Sequence, residues 1–266
     1  MRFIRQTFYC SVIPVCSLFM GLLLGCASER TPVTFDHFES VDINDKLESE
    51  SYIQKTQNFL VIMDTSSTME KRYLYEAFES SGVPTLFEVE KEILRRFNQA
   101  IPSINLNAGI RTYGFGSCQD WGFSAIRLVL GPYSKDSFTN ALATIECVGG
   151  GSPLDYALDE ASEDISGLKG NTALILLSDG QIDTSAMEAA FDIRDNYRKR
   201  VCIYTISLGK SSHSRMGMRR LAAISGCGFS VSAEKLGEKQ GMSQFVEKIF
   251  LQKSYNSSRP ERARQH

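Results

Sequence analysis

Short apolar runs that alternate with amphipathic stretches constrain the fold of this chain more than any other feature. The clearest run, Ala173 to Leu177, is followed by Ser178-Asp179-Gly180, and a second run, Phe59 to Met63, is followed by Asp64. Five apolar residues without a polar interruption are typical of a strand that is buried on both faces of a sheet. Since 42% of the 266 residues are hydrophobic and 23% are charged, the composition is that of a globular protein and excludes wholesale disorder.

The order of the strand-like and helix-like segments predicts an α/β fold. Strands are predicted at residues 59–63, 106–115, 125–130, 173–177, 201–208 and 229–231. Helices are predicted at residues 87–97, 138–145, 154–165, 185–198, 215–224 and 243–251. The charged residues of the first helix, among them Glu92 and Arg96, are expected to face solvent. Alternation of this kind is typical of a Rossmann-like, doubly wound parallel sheet with helices on both faces. Ligands of such sheets bind beyond the carboxyl ends of the strands, so we expect the chemistry at that edge.

The first 25 residues have the organisation of a secretory signal. Arg2 and Arg5 precede an apolar stretch that is broken by Pro14, and no further charged residue occurs before Glu29. A basic start followed by a short apolar stretch is typical of a signal peptide and not of a membrane-spanning anchor. The alternatives are an ordinary signal peptide that is cut nearby and an anchor that is not cleaved.

The sequence Leu23-Leu24-Gly25-Cys26 at the end of this segment resembles the bacterial lipobox. The resemblance implies cleavage before Cys26, a diacylglyceryl group on its thiol and an acyl chain such as palmitate on its amine. Because no aspartate directly follows Cys26, it also implies sorting to the outer membrane. The expected location is the bacterial cell envelope, where more than one acyl chain anchors a protein stably.

Four segments are predicted along the chain. They are a signal peptide at 1–25, an acidic tether after the lipidated Cys26 at 26–57, a single domain at 58–252 and a disordered basic tail at 253–266. The 29 basic and 31 acidic residues give a net charge of −2. A chain so balanced lacks the basic surface of a nucleic-acid-binding protein, so nucleic acid is not an expected partner.

Oxygen-bearing side chains follow two of the predicted strands and one glycine-rich loop. Asp64, Ser66 and Thr68 follow the first buried strand, Ser152 follows Gly149-Gly150-Gly151, and Asp179 follows the central strand. Carboxylates and hydroxyls are ligands for hard divalent cations such as Mg²⁺, whereas zinc favours nitrogen or sulfur. The three histidines, at positions 37, 213 and 266, lie outside this set. A magnesium site is therefore favoured over a zinc site.

This set resembles the metal-ion-dependent adhesion site of the von Willebrand factor type A domain. The family pattern is Asp-x-Ser-x-Ser, then a threonine in a later loop, then an aspartate before a glycine. The matching residues, in order over residues 58–252, are Asp64-x-Ser66-x-Thr68, Ser152 and Asp179-Gly180. Two departures are Ser67, where the family usually has glycine, and the long stretch from Glu70 to Pro84, which is expected to flank or partly cover the metal.

The resemblance implies both a fold and a function. The fold is a mostly parallel six-stranded sheet with one antiparallel edge strand and helices on both faces. The function is binding of a protein partner, whose Asp or Glu carboxylate reaches an open position on a bound Mg²⁺, with Mn²⁺ or Ca²⁺ as alternatives. By this resemblance, Asp64, Ser66 and Thr68 would hold the metal. Ser152 would join them when a partner is bound, and Asp179 would act mainly through water.

Two other functions remain open. A scaffold of the same fold can bind partners without metal, with Thr68, Ser152 and Asp179 serving only as helix or turn caps. A metal-dependent hydrolase is the more distant alternative, because Ser66 and Cys118 have no recognisable motif that would activate a nucleophile. We therefore predict a binding protein and not an enzyme.

Four cysteines lie in the predicted domain, at positions 118, 147, 202 and 227. An even number in an exported protein predicts two disulfides, and three pairings are possible from the sequence alone. On the expected fold, Cys202 lies in a strand beside the one that follows Cys227, and the loops that carry Cys118 and Cys147 are close together. Since a disulfide requires Cα atoms within about 7 Å, we predict the pairs Cys118–Cys147 and Cys202–Cys227. The aromatic residues around Cys118, namely Tyr113, Phe115, Trp121 and Phe123, are expected to pack within a strand pair, and an aromatic patch that lines a groove is the alternative.

Overall fold

Eight strands and eight helices make up the computed structural model, which describes residues 33–74 and 76–254. The strands are β1 (Tyr52–Gln54), β2 (Asn58–Asp64), β3 (Asn107–Tyr113), β4 (Ser124–Pro132), β5 (Thr172–Ser178), β6 (Val201–Ser207), β7 (Ser230–Ser232) and β8 (Leu251–Lys253). The helices are α1 (Asp45–Glu48), α2 (Leu86–Ala100), α3 (Lys135–Ala143), α4 (Leu154–Ile165), α5 (Thr184–Tyr197), α6 (Ser212–Ile224), α7 (Ala233–Gly237) and α8 (Gly241–Phe250). The predicted signal peptide, the lipidation site Cys26 and residues 255–266 of the predicted tail lie outside the described residues.

Six of the strands form one sheet in the order β4-β3-β2-β5-β6-β7. All neighbouring pairs are parallel except β3 and β4, which run antiparallel at the edge. This arrangement confirms the predicted α/β fold class. The crossover from β2 through α2 to β3, and those that follow β5 and β6, place helices against the sheet, as parallel neighbours require.

Side chains of the central strands are buried on both faces of the sheet. In β2, Phe59, Val61 and Met63 pack into a core with α2, α3 and α8. Leu60 and Ile62 point the other way, into a second core with α4, α5 and α6. Because successive side chains of a strand point to opposite faces, a strand covered on both sides has no position for a polar residue. The uninterrupted apolar runs in the sequence have this cause.

The compact unit begins earlier than the sequence analysis predicts. It includes residues from Val33 onward, whereas 26–57 was predicted to be a tether. Within this segment β1 pairs antiparallel with β8 in a separate two-stranded sheet, and Ile43 is buried in the core. The scattered apolar residues of a polar, acidic segment therefore serve as anchors that fasten it to the domain.

The same segment changes the environment of helix α2. Glu92 and Arg96 were expected to face solvent, but both are buried, and Arg96 Nε lies 2.5 Å from Glu92 Oε1. The Arg96 guanidinium lies 5.1 Å from the centre of the Phe38 ring and 4.9 Å from that of Phe78. Phe38, in the segment before β2, and Phe78, in the 70–84 stretch, thus cover a helix face that is polar in sequence.

Both predicted disulfides are present. Cys118 and Cys147 are bonded with their Cα atoms 5.7 Å apart, and Cys202 and Cys227 with theirs 5.3 Å apart. No helix among the described residues is long and apolar enough to cross a membrane.

Candidate metal site at the carboxyl edge of the sheet

The carboxyl ends of β2 and β5 meet at one edge of the sheet because these strands are parallel neighbours. β2 ends at Asp64, and β5 ends at Ser178, directly before Asp179. The Ser178 hydroxyl donates a hydrogen bond of 2.8 Å to Asp64 Oδ2, which links the two strand ends. The fold therefore brings together the two segments that carry the predicted carboxylates.

The glycine-rich loop lies against the segment that follows Asp64. The backbone N–H of Gly149 donates to the carbonyl of Thr65 at 2.8 Å, and that of Ser67 donates to the carbonyl of Gly150 at 3.0 Å. The Ser67 hydroxyl also donates to the Gly150 carbonyl, at 2.9 Å. Ser67 stands where the adhesion-site pattern usually has glycine, and its side chain here fastens the two loops to each other.

Asp64 is fully buried and accepts two hydrogen bonds within the site. Its Oδ1 accepts from the Ser66 backbone N–H at 3.0 Å, and its Oδ2 accepts from Ser178. Burial raises the pKa of Asp64 above its usual value, and the charge of Asp179 adds to the rise, while the hydrogen bonds from Ser66 and Ser178 oppose it. Burial therefore disfavours the carboxylate form of Asp64, and the charge of a divalent cation would favour it.

The two hydroxyls that follow Asp64 contact each other. Ser66 Oγ and Thr68 Oγ1 lie 3.0 Å apart, with either oxygen as the donor. Residues Ser67 to Glu70 form a single 3₁₀ turn, and the Ser66 side chain makes no capping hydrogen bond to it. Ser66 is therefore not acting as the helix cap that an Asp followed by hydroxyl residues often signals.

The remaining two predicted ligands carry buried oxygens without partners. Among the described residues, Ser152 Oγ and Asp179 Oδ1 form no hydrogen bond. Helix α4 begins after Pro153 without any side-chain cap, so the Ser152 hydroxyl does not cap it. Because buried polar atoms are nearly always paired in native proteins, two such oxygens on segments that contact the Asp64 segment fit an oxygen-coordinated cation. The described residues hold no group of three or more His, Cys, Asp or Glu that could bind a metal, so such a cation depends on the hydroxyls.

The turn at Asp179 depends on two glycines. Gly180 has a φ of +91°, and a Cβ on it would lie 2.6 Å from the Cβ of Ser214 and 2.8 Å from the Ser214 carbonyl oxygen. A Cβ on Gly209 would lie 1.9 Å from the carbonyl oxygen of Asp179. The connection between β6 and α6 thus packs directly on the backbone of Asp179 and fixes the position of its side chain.

Glu90 is a buried carboxyl group that the sequence analysis did not single out. Its Oε1 accepts a hydrogen bond of 3.1 Å from the backbone N–H of Asp64, and its Oε2 has no hydrogen-bond partner among the described residues. Burial raises the pKa of Glu90 well above its usual value, and the charge of Asp64 raises it further. The signal was its place in α2: Glu90 precedes Ile93 and Leu94 by three and four positions, on the apolar stripe of the helix.

Lys71 places a positive charge at the site. Its ammonium group lies 3.3 Å from Asp179 Oδ2, and the lysine is 59% exposed. Lys71 belongs to the 70–84 stretch, which was expected to flank the metal. The contact shows that this stretch borders Asp179, although no sequence pattern distinguishes Lys71 within it.

A hydrogen-bond network connects the Cys118–Cys147 disulfide to the site. Gln119, next to Cys118, donates from Nε2 to Thr65 Oγ1. The Thr65 hydroxyl in turn donates to the Tyr113 carbonyl at 2.8 Å. Cys147 lies two residues before Gly149, whose N–H also donates to Thr65. The disulfide therefore ties together both loops that contact the Asp64 segment.

The aromatic residues near this disulfide differ from the expectation. Tyr113 is buried, but Phe115, Phe123 and Trp121 are exposed by 42%, 44% and 74%. The Phe123 ring lies 5.3 Å from that of Phe115 and 4.8 Å from that of Tyr156, centre to centre. Phe115 follows β3 and Phe123 precedes β4, so their contact is packing within this strand pair, at its exposed end. The expectation was wrong for Trp121, which is exposed, and for Tyr113, which packs in the core that includes α4.

The chain superposes on solved structures of several bacterial proteins. An aerotolerance-related membrane protein from Bacteroides fragilis superposes with a TM-score of 0.55 at 12% identity, covering 72% of this chain and 99% of that one. A von Willebrand factor type A protein from Catenulispora acidiphila gives a TM-score of 0.51 at 11% identity, covering 82% and 49%. This chain has the von Willebrand factor type A fold.

The chain also superposes on the pilus adhesin SpaC from Lactobacillus rhamnosus GG. It has a TM-score of 0.53 and 13% identity, and the match covers 74% of this chain but 30% of the adhesin. No family model matches the chain, and no curated protein is similar to it in sequence. At these identities the likeness establishes the fold, and the function is argued from the residues at the edge of the sheet.

Proposed function

We propose that this protein binds a partner protein through a divalent cation held at the carboxyl edge of the sheet. The ligands would be Asp64, Ser66, Thr68, Ser152 and Asp179. The observation that carries the proposal is the pair of buried oxygens without partners, Ser152 Oγ and Asp179 Oδ1, in the two segments packed against Asp64. A cation would satisfy both atoms and offset the cost of burying Asp64.

The donor set favours Mg²⁺, with Mn²⁺ and Ca²⁺ as alternatives, because every donor is an oxygen. The bound cation would supply an electrophilic position that accepts an Asp or Glu carboxylate of the partner. The protein's own residues would orient this position: Ser178 and the Ser66 N–H hold the Asp64 carboxylate, and Ser67 fastens the loop that carries Ser152. SpaC, described as a pilus adhesin, supports a role in protein binding for this fold.

Metal binding is tested directly by isothermal titration with Mg²⁺, Mn²⁺ and Ca²⁺. Asp64→Asn keeps the size of the side chain and its acceptor for the Ser66 N–H but removes the charge, and is expected to abolish binding. Asp136→Asn, an exposed acidic residue at the opposite edge of the sheet, is the matched control. Metal affinity unchanged in Asp64→Asn would refute the site.

Partner binding is tested by a pull-down from envelope extract in Mg²⁺ and again in EDTA. The proposal expects partners that are retained in Mg²⁺ and lost in EDTA and in Asp64→Asn. As the proposed function is binding and not catalysis, we expect no turnover of phosphatase or esterase substrates.

The second candidate is a scaffold that binds partners without metal. The ion pair between Lys71 and Asp179 favours it, because the ammonium group already neutralises one of the two carboxylates. Partners that are retained equally in Mg²⁺ and EDTA, with no heat of metal binding, would establish this alternative.

Anchoring to the outer membrane through Cys26 is also part of the proposal. The support is the lipobox-like Leu23-Leu24-Gly25-Cys26 in the sequence. Cys26→Ser is expected to leave unprocessed protein that no longer partitions into a detergent phase, and normal partitioning of this variant would refute lipidation.

A further inference from the structure

A cavity of about 360 Å³ lies beside the candidate metal site. Its walls come from residues 71–74, which follow the 3₁₀ turn after β2, and from the connection between β6 and α6. Asp179 lines this cavity and is at the same time a proposed metal ligand. Since Gly209 packs directly on the Asp179 backbone, the cavity and the metal site share one wall.

The cavity is lined by an excess of positive charge. Lys71, Arg72 and Lys210 line it, and its one acidic residue, Asp179, is paired with Lys71 at 3.3 Å. Within residues 33–74 and 76–254, no carboxylate forms an ion pair with Arg72, which is exposed. Helix α6 begins at the same place and has no acidic residue in its first turn. The partial positive charge of a helix N-terminus adds to the basic side chains.

Apolar side chains form the rest of the wall. Leu86 and Leu208 are buried there, and Leu74 is 66% exposed at the mouth of the cavity. A ligand that fits both parts has an apolar stem and an anionic end. Glutamate and aspartate side chains have this form, and both are compact enough for a cavity of this volume.

We propose that this cavity is an anion subsite for a second acidic side chain of the partner segment whose first carboxylate reaches the cation. The inference rests on the proposed function and specifies the partner as an acidic peptide segment. Consecutive residues of an extended peptide advance by about 3.3–3.6 Å, so an acidic residue one to three positions away spans the distance between adjoining sites. The shared wall at Asp179 makes the two sites adjoining.

The first experiment measures the affinity of labelled peptides by fluorescence anisotropy in Mg²⁺. Two probes of equal length are compared, Gly-Gly-Asp-Gly-Glu-Gly and Gly-Gly-Asp-Gly-Gln-Gly, which differ only in the charge of the second side chain. We expect the Glu peptide to bind about two- to fivefold more tightly, the range of a partly exposed ion pair. Combined Arg72→Gln and Lys210→Gln substitutions should remove this difference and leave the affinity of the Gln peptide unchanged.

Lys169→Gln combined with Lys199→Gln is the matched control, because it removes two positive charges from exposed positions before the amino ends of β5 and β6. Urea denaturation of each variant establishes that it is folded. Equal affinities of the two peptides for the wild-type protein would overturn the subsite, as would a Glu preference that persists in the double variant.

A second measurement separates this inference from the metal site. In EDTA, ¹⁵N–¹H spectra are recorded with acetyl-glutamic acid α-amide, with the glutamine analogue and with inorganic phosphate. Shifts of the Gly209, Ser211 and Ser214 amides by the glutamic acid probe, absent with glutamine and in the double variant, would support the subsite even if no metal binds. No shift with the glutamic acid probe, or shifts with phosphate alone, would overturn its assignment to a partner's acidic side chain.

Discussion

Removing the Cys118–Cys147 disulfide is expected to weaken metal binding, whereas removing the Cys202–Cys227 disulfide is not. Only the first is connected to the Asp64 segment, through Gln119 on one side and Gly149 on the other, and both of these residues donate hydrogen bonds to Thr65. Cys202 and Cys227 join β6 to the segment before β7, and Cys227 Sγ lies 3.6 Å from the Val201 carbonyl at the beginning of β6. That end of β6 is opposite to the edge of the sheet that carries the candidate metal site.

The two disulfides should contribute nearly equal stability. Their cysteines are separated by 29 and 25 residues, and loops of this length are worth roughly 3.5 kcal/mol each in the chain-entropy treatment. The double substitutions Cys118→Ser with Cys147→Ser, and Cys202→Ser with Cys227→Ser, are therefore matched in their cost to folding. Removing a group that orients metal ligands without contacting the metal typically lowers metal affinity by roughly 10- to 100-fold. We expect a loss of metal affinity in this range when the Cys118–Cys147 disulfide is removed.

The assays are urea denaturation in EDTA for stability and calorimetric titration with Mg²⁺ or Mn²⁺ for affinity. Both double variants should lose a similar free energy of unfolding, and only the Cys118 and Cys147 variant should lose metal affinity. Equal losses of affinity in the two variants would show that the effect follows general destabilisation. Unchanged affinity in both would refute the coupling between this disulfide and the site.

Three further predictions concern the metal-free protein. Burial raises the pKa of Glu90 in the folded protein well above its ordinary value of 4.5. The protonated Glu90 therefore leaves the free energy of unfolding undiminished below pH 4.5, and this free energy falls as the pH rises from 4.5 towards the folded-state pKa. Glu90→Gln should therefore match the wild type in urea denaturation at pH 4 and exceed it at pH 8, each pKa unit being worth about 1.4 kcal/mol; equal stability at pH 8 would contradict a raised pKa of Glu90 in the folded protein. Gly180→Ala should cost about 1–3 kcal/mol because of its positive φ and its contact with Ser214, whereas Gly167→Ala, with open space around it, should be neutral or slightly stabilising in the same assay. Trp121 is the single tryptophan and 74% exposed, so fluorescence emission near that of free tryptophan and strong quenching by acrylamide are expected; a blue-shifted, protected emission would contradict its position at the rim.

The parts of the fold that follow from sequence are those in which local pattern and burial agree. The run from Ala173 to Leu177 is apolar throughout because β5 is central and covered on both faces, and helix α4 was predicted with the bounds that it has in the structure. The disulfide pairing followed once the strand order was assumed, since neighbouring strands and adjoining loops are the places where Cα atoms come close enough.

The segment before β2 could not be predicted in this way. Its apolar residues, among them Phe38 and Ile43, have no helical or strand period, because each packs singly against a surface formed by distant parts of the chain. The same contacts bury Glu92 and Arg96, whose charges in sequence indicate an exposed helix face. Burial of a charged residue by a distant segment leaves no local signal, so both errors have one cause.

In the candidate site, too, some residues are brought together by the fold class alone, and others are placed by packing that the sequence pattern does not show. Asp64, Ser66 and Thr68 share one short segment, and Asp179 ends a neighbouring parallel strand, so their approach follows from the fold alone. Glu90 and Lys71 act on the site from elements whose orientation depends on packing. Glu90 adds a second buried carboxyl group behind Asp64, and Lys71 offsets the charge of Asp179 from the exposed side. Two buried carboxyl groups in one core, in which the charge of Asp64 raises the pKa of Glu90, are an arrangement that is common at functional sites. The arrangement costs stability in the metal-free protein, and binding of a cation would recover that cost at the place where the partner is proposed to bind.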